Sequence, residues 1–199
     1  MIRRFGAYFI DWYLVMVIMN VFLLVAAYVV TGSLYVGSLP LVFFKPELRL
    51  PLLGILIAIE FVFYVCVPRF VWRGQTIGKR LLRLRVVSLQ GNDAGIVRLA
   101  VRDMVGVVLL EGCFSPLSNY VRNYLMLFVG RDVIEYTVWF SWAAGAVSIL
   151  VLLVTKRRML HDFIAGTAVV LAADELVPES ANVENGEESI AVNDSAVAQ

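Results

Sequence analysis

The 199-residue chain has one histidine, two cysteines and only 17% charged residues, and each shortage closes a class of function. Metal-dependent phosphohydrolysis needs several His and Asp ligands, and His161-Asp162 offers a single His. No Ser/His/Asp or Cys/His arrangement is available for hydrolysis of the soluble type. Cys66 and Cys113 lie in apolar runs with no CxxC or Cys/His cluster, which reads as two membrane-buried thiols and not as a disulfide or a metal site. The formal net charge of +1 leaves no basic excess for a nucleic-acid partner. The expectation is a protein that is not an enzyme and holds no metal or other cofactor.

What fills the chain is apolar: 60% hydrophobic residues and a mean hydropathy of +0.81, against about 45–50% apolar residues in a soluble domain. An aqueous core of this size cannot hold the excess, so the chain reads as a polytopic membrane protein. The charges are divided along it. Seven of the 16 acids lie beyond Ala173 and no base lies beyond Arg158, so residues 1–173 carry +8 and the remainder is an acidic tail. Residues 1–173 form one transmembrane domain; residues 174–199, poor in large apolar side chains, are expected to be a disordered cytoplasmic tail.

Residues 12–44 contain no charge, and 12–30 are long enough to cross a hydrocarbon core that needs roughly 20 residues. Arg3 and Arg4 precede this span, which exceeds the roughly 7–15 residues of a signal-peptide core. Residues 31–49, rich in Gly, Ser and mixed charge, form a loop. A second span covers 50–67 with Glu60 near its centre. Its cost, on the order of 3 kcal/mol, is outweighed by the surrounding Leu, Ile, Phe and Val. Residues 136–155 are another uncharged span, in which Ala143, Ala144, Gly145 and Ala146 allow close helix approach.

Residues 104–129 are interrupted by Glu111, Arg122 and Ser115-Pro116. Eight bases and two acids in 69–103, and the bases Lys156, Arg157 and Arg158, both belong in the cytoplasm by the positive-inside rule. An even number of crossings must separate them, so 104–129 is expected to be a span broken near Pro116. The count is then four, with both termini cytoplasmic. Residues 159–173 are too short to span and are expected to form an interfacial or partly re-entrant helix.

Glu60, an acid at bilayer depth, must face the bundle or water, either as a functional group or as a structural hydrogen-bonding one. Arg4 and Asp11 lie seven apart on one helical face, fit for a cation or a proton, or for an ion pair, Asp11 with Arg102 for example. Arg98 and Arg102 share a face at i, i+4, just before Asp103, and read as snorkelling bases that signal topology. Glu111 lies about two turns into the third span. Gly74-Gln75-Thr76-Ile77-Gly78-Lys79-Arg80 is not a phosphate loop, because Walker A has four residues between its glycines and Ser or Thr after Lys. The alternation in residues 82–86 suggests a short amphipathic strand or helix on anionic headgroups. His161 can titrate at the interface, with Asp162, Gly166 and Thr167 packed on the bundle.

Arg3, Arg4, Ala7 and Ile10-Asp11, then Gly74 to Arg80 with Leu84-Arg85-Val86-Val87, then Leu160-His161-Asp162-Phe163-Ile164-Ala165-Gly166-Thr167, together resemble the RDD family of bacterial integral membrane proteins. The likeness covers residues 3–170. It maps the family's Arg to Arg4 (or Arg3), its first Asp to Asp11, and its second to Asp162, with Asp103 as the other candidate. It implies a membrane location and a role in transport of unspecified ligands, some members being linked to cation/proton exchange. The broken third span and the long acidic tail depart from the family pattern.

The resulting expectation is an all-α, four-span bundle in the bacterial inner membrane with a short cytoplasmic amphipathic element and a C-terminal interfacial helix. Its polar cluster is Arg4, Asp11, Glu60, Asp103, His161 and Asp162. The function expected is transport of a small cation or solute, with proton coupling as one form of it, by a homo-oligomer, since four helices seldom enclose a pathway. The alternative is a membrane adaptor that holds a partner through its basic loop and acidic tail. Paired, dry charges favour the adaptor, and a wet cavity reaching Glu60 favours transport. The bilayer's anionic headgroups are a partner in both.

Overall fold

The computed structural model describes residues 2–112, 115–155 and 158–172. The acidic tail expected at 174–199, and Lys156 and Arg157, lie outside the described residues. Helix α1 (Ile2–Thr31) has 30 residues, about 45 Å at 1.5 Å each. Ala7, Asp11, Val15, Met19, Leu23 and Ala27 are its buried positions, a stripe at four-residue spacing that faces the bundle. Phe9, Tyr13, Val21 and Val25 are exposed, as lipid-facing positions of a span are. The helix stops where Gly32 takes the left-handed conformation (φ +71°) and donates to the Tyr28 carbonyl at 2.8 Å, a glycine C-cap.

A 3₁₀ turn (Leu41–Phe43) leads into α2 (Pro46–Phe61), which has Pro46 in its first turn, where a missing N–H costs nothing. The helix continues as a π-helical stretch (Val62–Val71), closed by Trp72 donating to the Val67 carbonyl, five residues back, at 3.0 Å. Next come α3 (Ile77–Leu81), strand β1 (Leu84–Ser88) and α4 (Ile96–Ala100), which passes directly into a second π-helical stretch (Val101–Leu110). Helix α5 (Pro116–Leu125) restarts the chain, and α6 (Arg131–Thr155) follows. Three helices among the described residues are long and apolar enough to cross a membrane: Ile2–Thr31, Pro46–Val71 and Arg131–Thr155. The expected broken span is two shorter arms. The extended backbone of Ser115 and Pro116 at the start of α5 separate them, because proline cannot continue the preceding helix.

The chain is mostly helical but not all-α. The expected C-terminal helix is only α7 (Leu160–Ala165), followed by strand β2 (Thr167–Leu171), which pairs antiparallel with β1 so that Leu84 faces Leu171 and Ser88 faces Thr167. Gly166, at φ +63°, reverses the chain at the end of α7, and Thr167, Val169 and Val170 suit a strand. The amphipathic element expected at 82–86 is therefore a strand, Leu84–Ser88, whose partners lie 79 to 87 residues away. Under this small sheet Ala7, Val65, Leu84, Val86, Leu99 and Val169 form one apolar cluster; a larger one joins α1, α2 and α5 through Met19, Leu23, Leu56, Phe63 and Leu117.

Candidate functional site

The segment Gly74 to Arg80 folds onto α1 and explains its own composition. Gly74 has φ +76°, and a Cβ there would stand 2.3 Å from the Val86 carbonyl oxygen, so only glycine fits. Gln75 donates from Nε2 to the Leu84 carbonyl at 2.9 Å. A Cβ on Gly78 would meet the Ala7 carbonyl oxygen at 2.3 Å, and the closeness this allows brings the Gly78 N–H to Asp11 Oδ1 at 2.7 Å. The Thr76 hydroxyl donates to Asp11 Oδ2, and Lys79 Nζ stands 3.7 Å from the same oxygen. Asp11 is fully buried, and its partners are Thr76, Gly78 and Lys79, not Arg102. Burial pushes the Lys79 ammonium below its ordinary range, against the pull of Asp11.

A second cluster joins the π-helical stretch after α4 to α6 and α7. Arg102 donates from Nε to Asp162 Oδ1 at 2.8 Å and from its terminal nitrogen to His161 Nε2 at 3.0 Å. His161 Nδ1 lies 3.0 Å from Glu111 Oε2, and its backbone N–H donates to Glu111 Oε1 at 3.1 Å. Ser148 donates to Glu111 Oε1 at 2.7 Å. These contacts fix the tautomer. Arginine has no acceptor, so Nε2 must accept and Nδ1 must carry the proton it gives to Glu111. The ring is neutral in this arrangement, held between a base and an acid. Gly106 makes room for it, since a Cβ there would lie 2.4 Å from that of His161.

Asp162 is a positioning acid as well. Its Oδ2 accepts the Met159 N–H at 3.1 Å, capping α7, and Oδ1 also accepts Thr167 at 3.2 Å. Burial would raise its pKa, but the charge and hydrogen bond of Arg102, with the Met159 N–H, prevail and hold it at about 2. Arg4 ties the ends together by donating to the Val169 carbonyl of β2.

Both clusters open on one cavity of about 50 Å³, lined by Arg4, Tyr64, Lys79, Arg102, Asp103, His161 and Asp162 among others. Four of the six anticipated site residues, Arg4, Asp103, His161 and Asp162, line it. Asp11 does not line it but lies behind Lys79, which does. Glu60 does not line it: it is buried 1% exposed, accepts the Ser115 hydroxyl at 3.1 Å, and its Oε2 has no hydrogen-bond partner among the described residues. Asp103 Oδ2 is in the same position.

Arg102 and Glu111 are the residues of this site that the sequence pattern did not select. Arg98 is exposed while Arg102 is 9% exposed and paired, so the two do not act together as snorkelling bases. The change to i→i+5 bonding beyond Ala100 breaks their i, i+4 alignment. The signal for Glu111 was its place in an apolar run, the criterion that selected Glu60. Lys79 was visible only as part of the glycine-bounded motif.

The model of the RDD family matches residues 1–166. The uncharacterized protein YckC of Bacillus subtilis (strain 168) is 27% identical over 111 residues, which are 56% of this chain and 56% of that protein. The chain thus spans little more than half the length of this curated relative.

Proposed function

The chain belongs to the RDD family, and from that premise we propose that this membrane protein is transport-related, passing a small cation or a proton through the cavity where the family's motifs meet. The observation that supports this is Asp103: a buried carboxylate with one oxygen unpaired among the described residues, on the wall of a cavity of about 50 Å³. A water needs about 10–15 Å³ of such space, whereas drug-sized ligands occupy about 300–1,000 Å³, so the cavity suits water and small ions. Buried acids in membrane bundles commonly mark ion and proton paths. The cavity does not reach Glu60, so this reading rests on Asp103 instead, while the paired charges of Asp11 and Asp162 count toward the adaptor reading.

In the same proposal the two arms around Pro116 complete a fourth crossing, both termini are cytoplasmic in a bacterial inner membrane, the protein works as a homo-oligomer, and no covalent reaction is catalysed. Flux measured on purified protein in vesicles tests the function. Wild type should exchange a small monovalent cation or proton, and Asp103→Asn should abolish the flux or shift its pH dependence while assembly stays normal. Absence of flux for every small cation in wild type would reject the reading.

A second reading, a membrane adaptor, is favoured by a different feature. Arg69, Arg73, Arg80 and Arg83, between α2 and α4, and Arg98 of α4 are all exposed, side chains fit for an acidic partner. Capture of such a partner by wild type, lost when these arginines are replaced, would support it.

A further inference from the structure

Beside the polar cavity lies a larger groove with another chemistry. It measures about 610 Å³ and is lined by Ile2, Phe5, Gly6, Tyr8, Phe9 and Trp12 of α1 and by Trp142 of α6. Its walls are almost wholly apolar, and Phe9 and Trp12 stack along one side with ring centroids 5.9 Å apart. The volume falls in the range of about 300–1,000 Å³ typical of ligand sites. From Ile2 to Trp12 the groove follows ten residues of α1, about 15 Å, which is half of a hydrocarbon core about 30 Å thick. Its length therefore matches the depth of one leaflet.

Charge marks one end. Arg3 and Arg4 stand in the first turn of α1, Arg3 being exposed. Phe5 and Tyr8 also line a smaller cavity of about 80 Å³ that adjoins the groove, and its wall includes Arg4 and Met159, next to Arg158 in the chain. The groove thus has an apolar length matched to an acyl chain and a basic end suited to an anionic headgroup, and this complementarity selects its occupant.

We propose that the groove between α1 and α6 is a binding site for an anionic phospholipid, one acyl chain lying between Trp12 and Trp142 and the headgroup on the arginines at the start of α1. Apolar length alone would accept any lipid; the basic end supplies the preference, since each Lys or Arg near a membrane surface is worth about a fivefold change in attraction to anionic lipid. The groove is separate from the polar cavity, though Tyr8 lines both and Arg4 lines the cavity as well.

The two tryptophans supply the readout. Full-length protein carrying Trp72→Phe and Trp139→Phe keeps Trp12 and Trp142 and is placed in phosphatidylcholine vesicles. Phosphatidylglycerol with brominated acyl chains is then added at increasing mole fraction, with brominated phosphatidylcholine as the comparison. Quenching should saturate at low mole fraction with the anionic lipid only. Gly6→Leu should abolish the saturable part by filling the groove; the atom a Cβ there approaches, Leu82 Cδ1 at 3.1 Å, is the end of a flexible side chain. Arg3→Gln, a change at an exposed position, should weaken the apparent affinity about fivefold, and it keeps the test decisive even where Gly6→Leu fails to assemble. Quenching that rises in proportion to mole fraction, equally for both lipids and unaltered by Arg3→Gln, would show ordinary lipid contact and overturn the proposal.

Discussion

Arg102 and Asp162, sixty residues apart, meet at 2.8 Å in the buried heart of the molecule, and the charge of each is the solvent the other has lost. The pair joins the helix after α4 to α7, and through Thr167 to β2. Removing one member of such a pair leaves an uncompensated charge in a low-dielectric site.

Arg102→Gln should therefore lower stability by about 3–5 kcal/mol, measured by denaturation in detergent. Arg102→Lys should recover only part of this, because an ammonium cannot present the guanidinium fork that reaches Asp162 and His161 at once. Full recovery by Lys would show that charge alone matters there.

The pH dependence has a definite sign. Asp162 is held at about 2 in the folded protein, below the ordinary aspartate value of about 3.9. Its contribution, about 2 kcal/mol, is present above the unfolded value and is lost as pH falls through the folded one. Stability should decline between about pH 4 and pH 2, and Asp162→Asn should flatten that part of the curve at a lower overall level. An unchanged slope in the variant would place the titration elsewhere.

His161 is the one histidine of the chain, so its ring nitrogens can be observed without assignment. Nitrogen NMR at neutral pH should show a proton on Nδ1 and none on Nε2, as the Arg102 contact demands. In Glu111→Gln the Nδ1–H bond persists to a neutral acceptor and weakens, which should move that resonance. A proton on Nε2 in wild type would contradict the arrangement.

Three glycines should respond differently to alanine. At Gly78 a Cβ meets backbone at 2.3 Å, and overpacking of this kind costs typically 1–3 kcal/mol, so assembly should suffer clearly. Gly74 adds a positive φ to a similar clash and should be worse. At Gly166 a Cβ has open space, which leaves only the left-handed backbone cost of about 1–2 kcal/mol. Thermal unfolding of the three variants checks the order.

The proposed orientation makes its own forecast. In a background lacking Cys66 and Cys113, a cysteine at Lys45 should react with an impermeant reagent added outside intact cells, and one at Gln90 should not. Both positions are exposed. External labelling at Gln90 would invert the scheme.

The membrane character, the three long helices and the break before Pro116 were legible in the chain because each rests on local properties: run length, absence of charge, and proline chemistry. The motifs around Arg4, Gly78 and Asp162 were also legible. The small sheet was not, since β1 and β2 are each five residues long and neither pattern shows a partner about 80 residues distant. The helix expected at 159–173 failed at Gly166, whose left-handed turn was a stronger signal than the apolar residues on either side of it.

By itself, then, the sequence determined that this protein lies in a membrane and which ionisable side chains are too costly there to be incidental, because the transfer of a side chain to hydrocarbon depends on its own chemistry. Only the tertiary structure decided how those charges are shared: Asp11 with Thr76, Gly78 and Lys79, Asp162 with Arg102, and Glu111 with His161 and Ser148. Pairing depends on distances of about 3 Å between residues far apart in the chain. Those distances are set by the approach of backbones at Gly78 and Gly106, which no local pattern of hydrophobicity encodes.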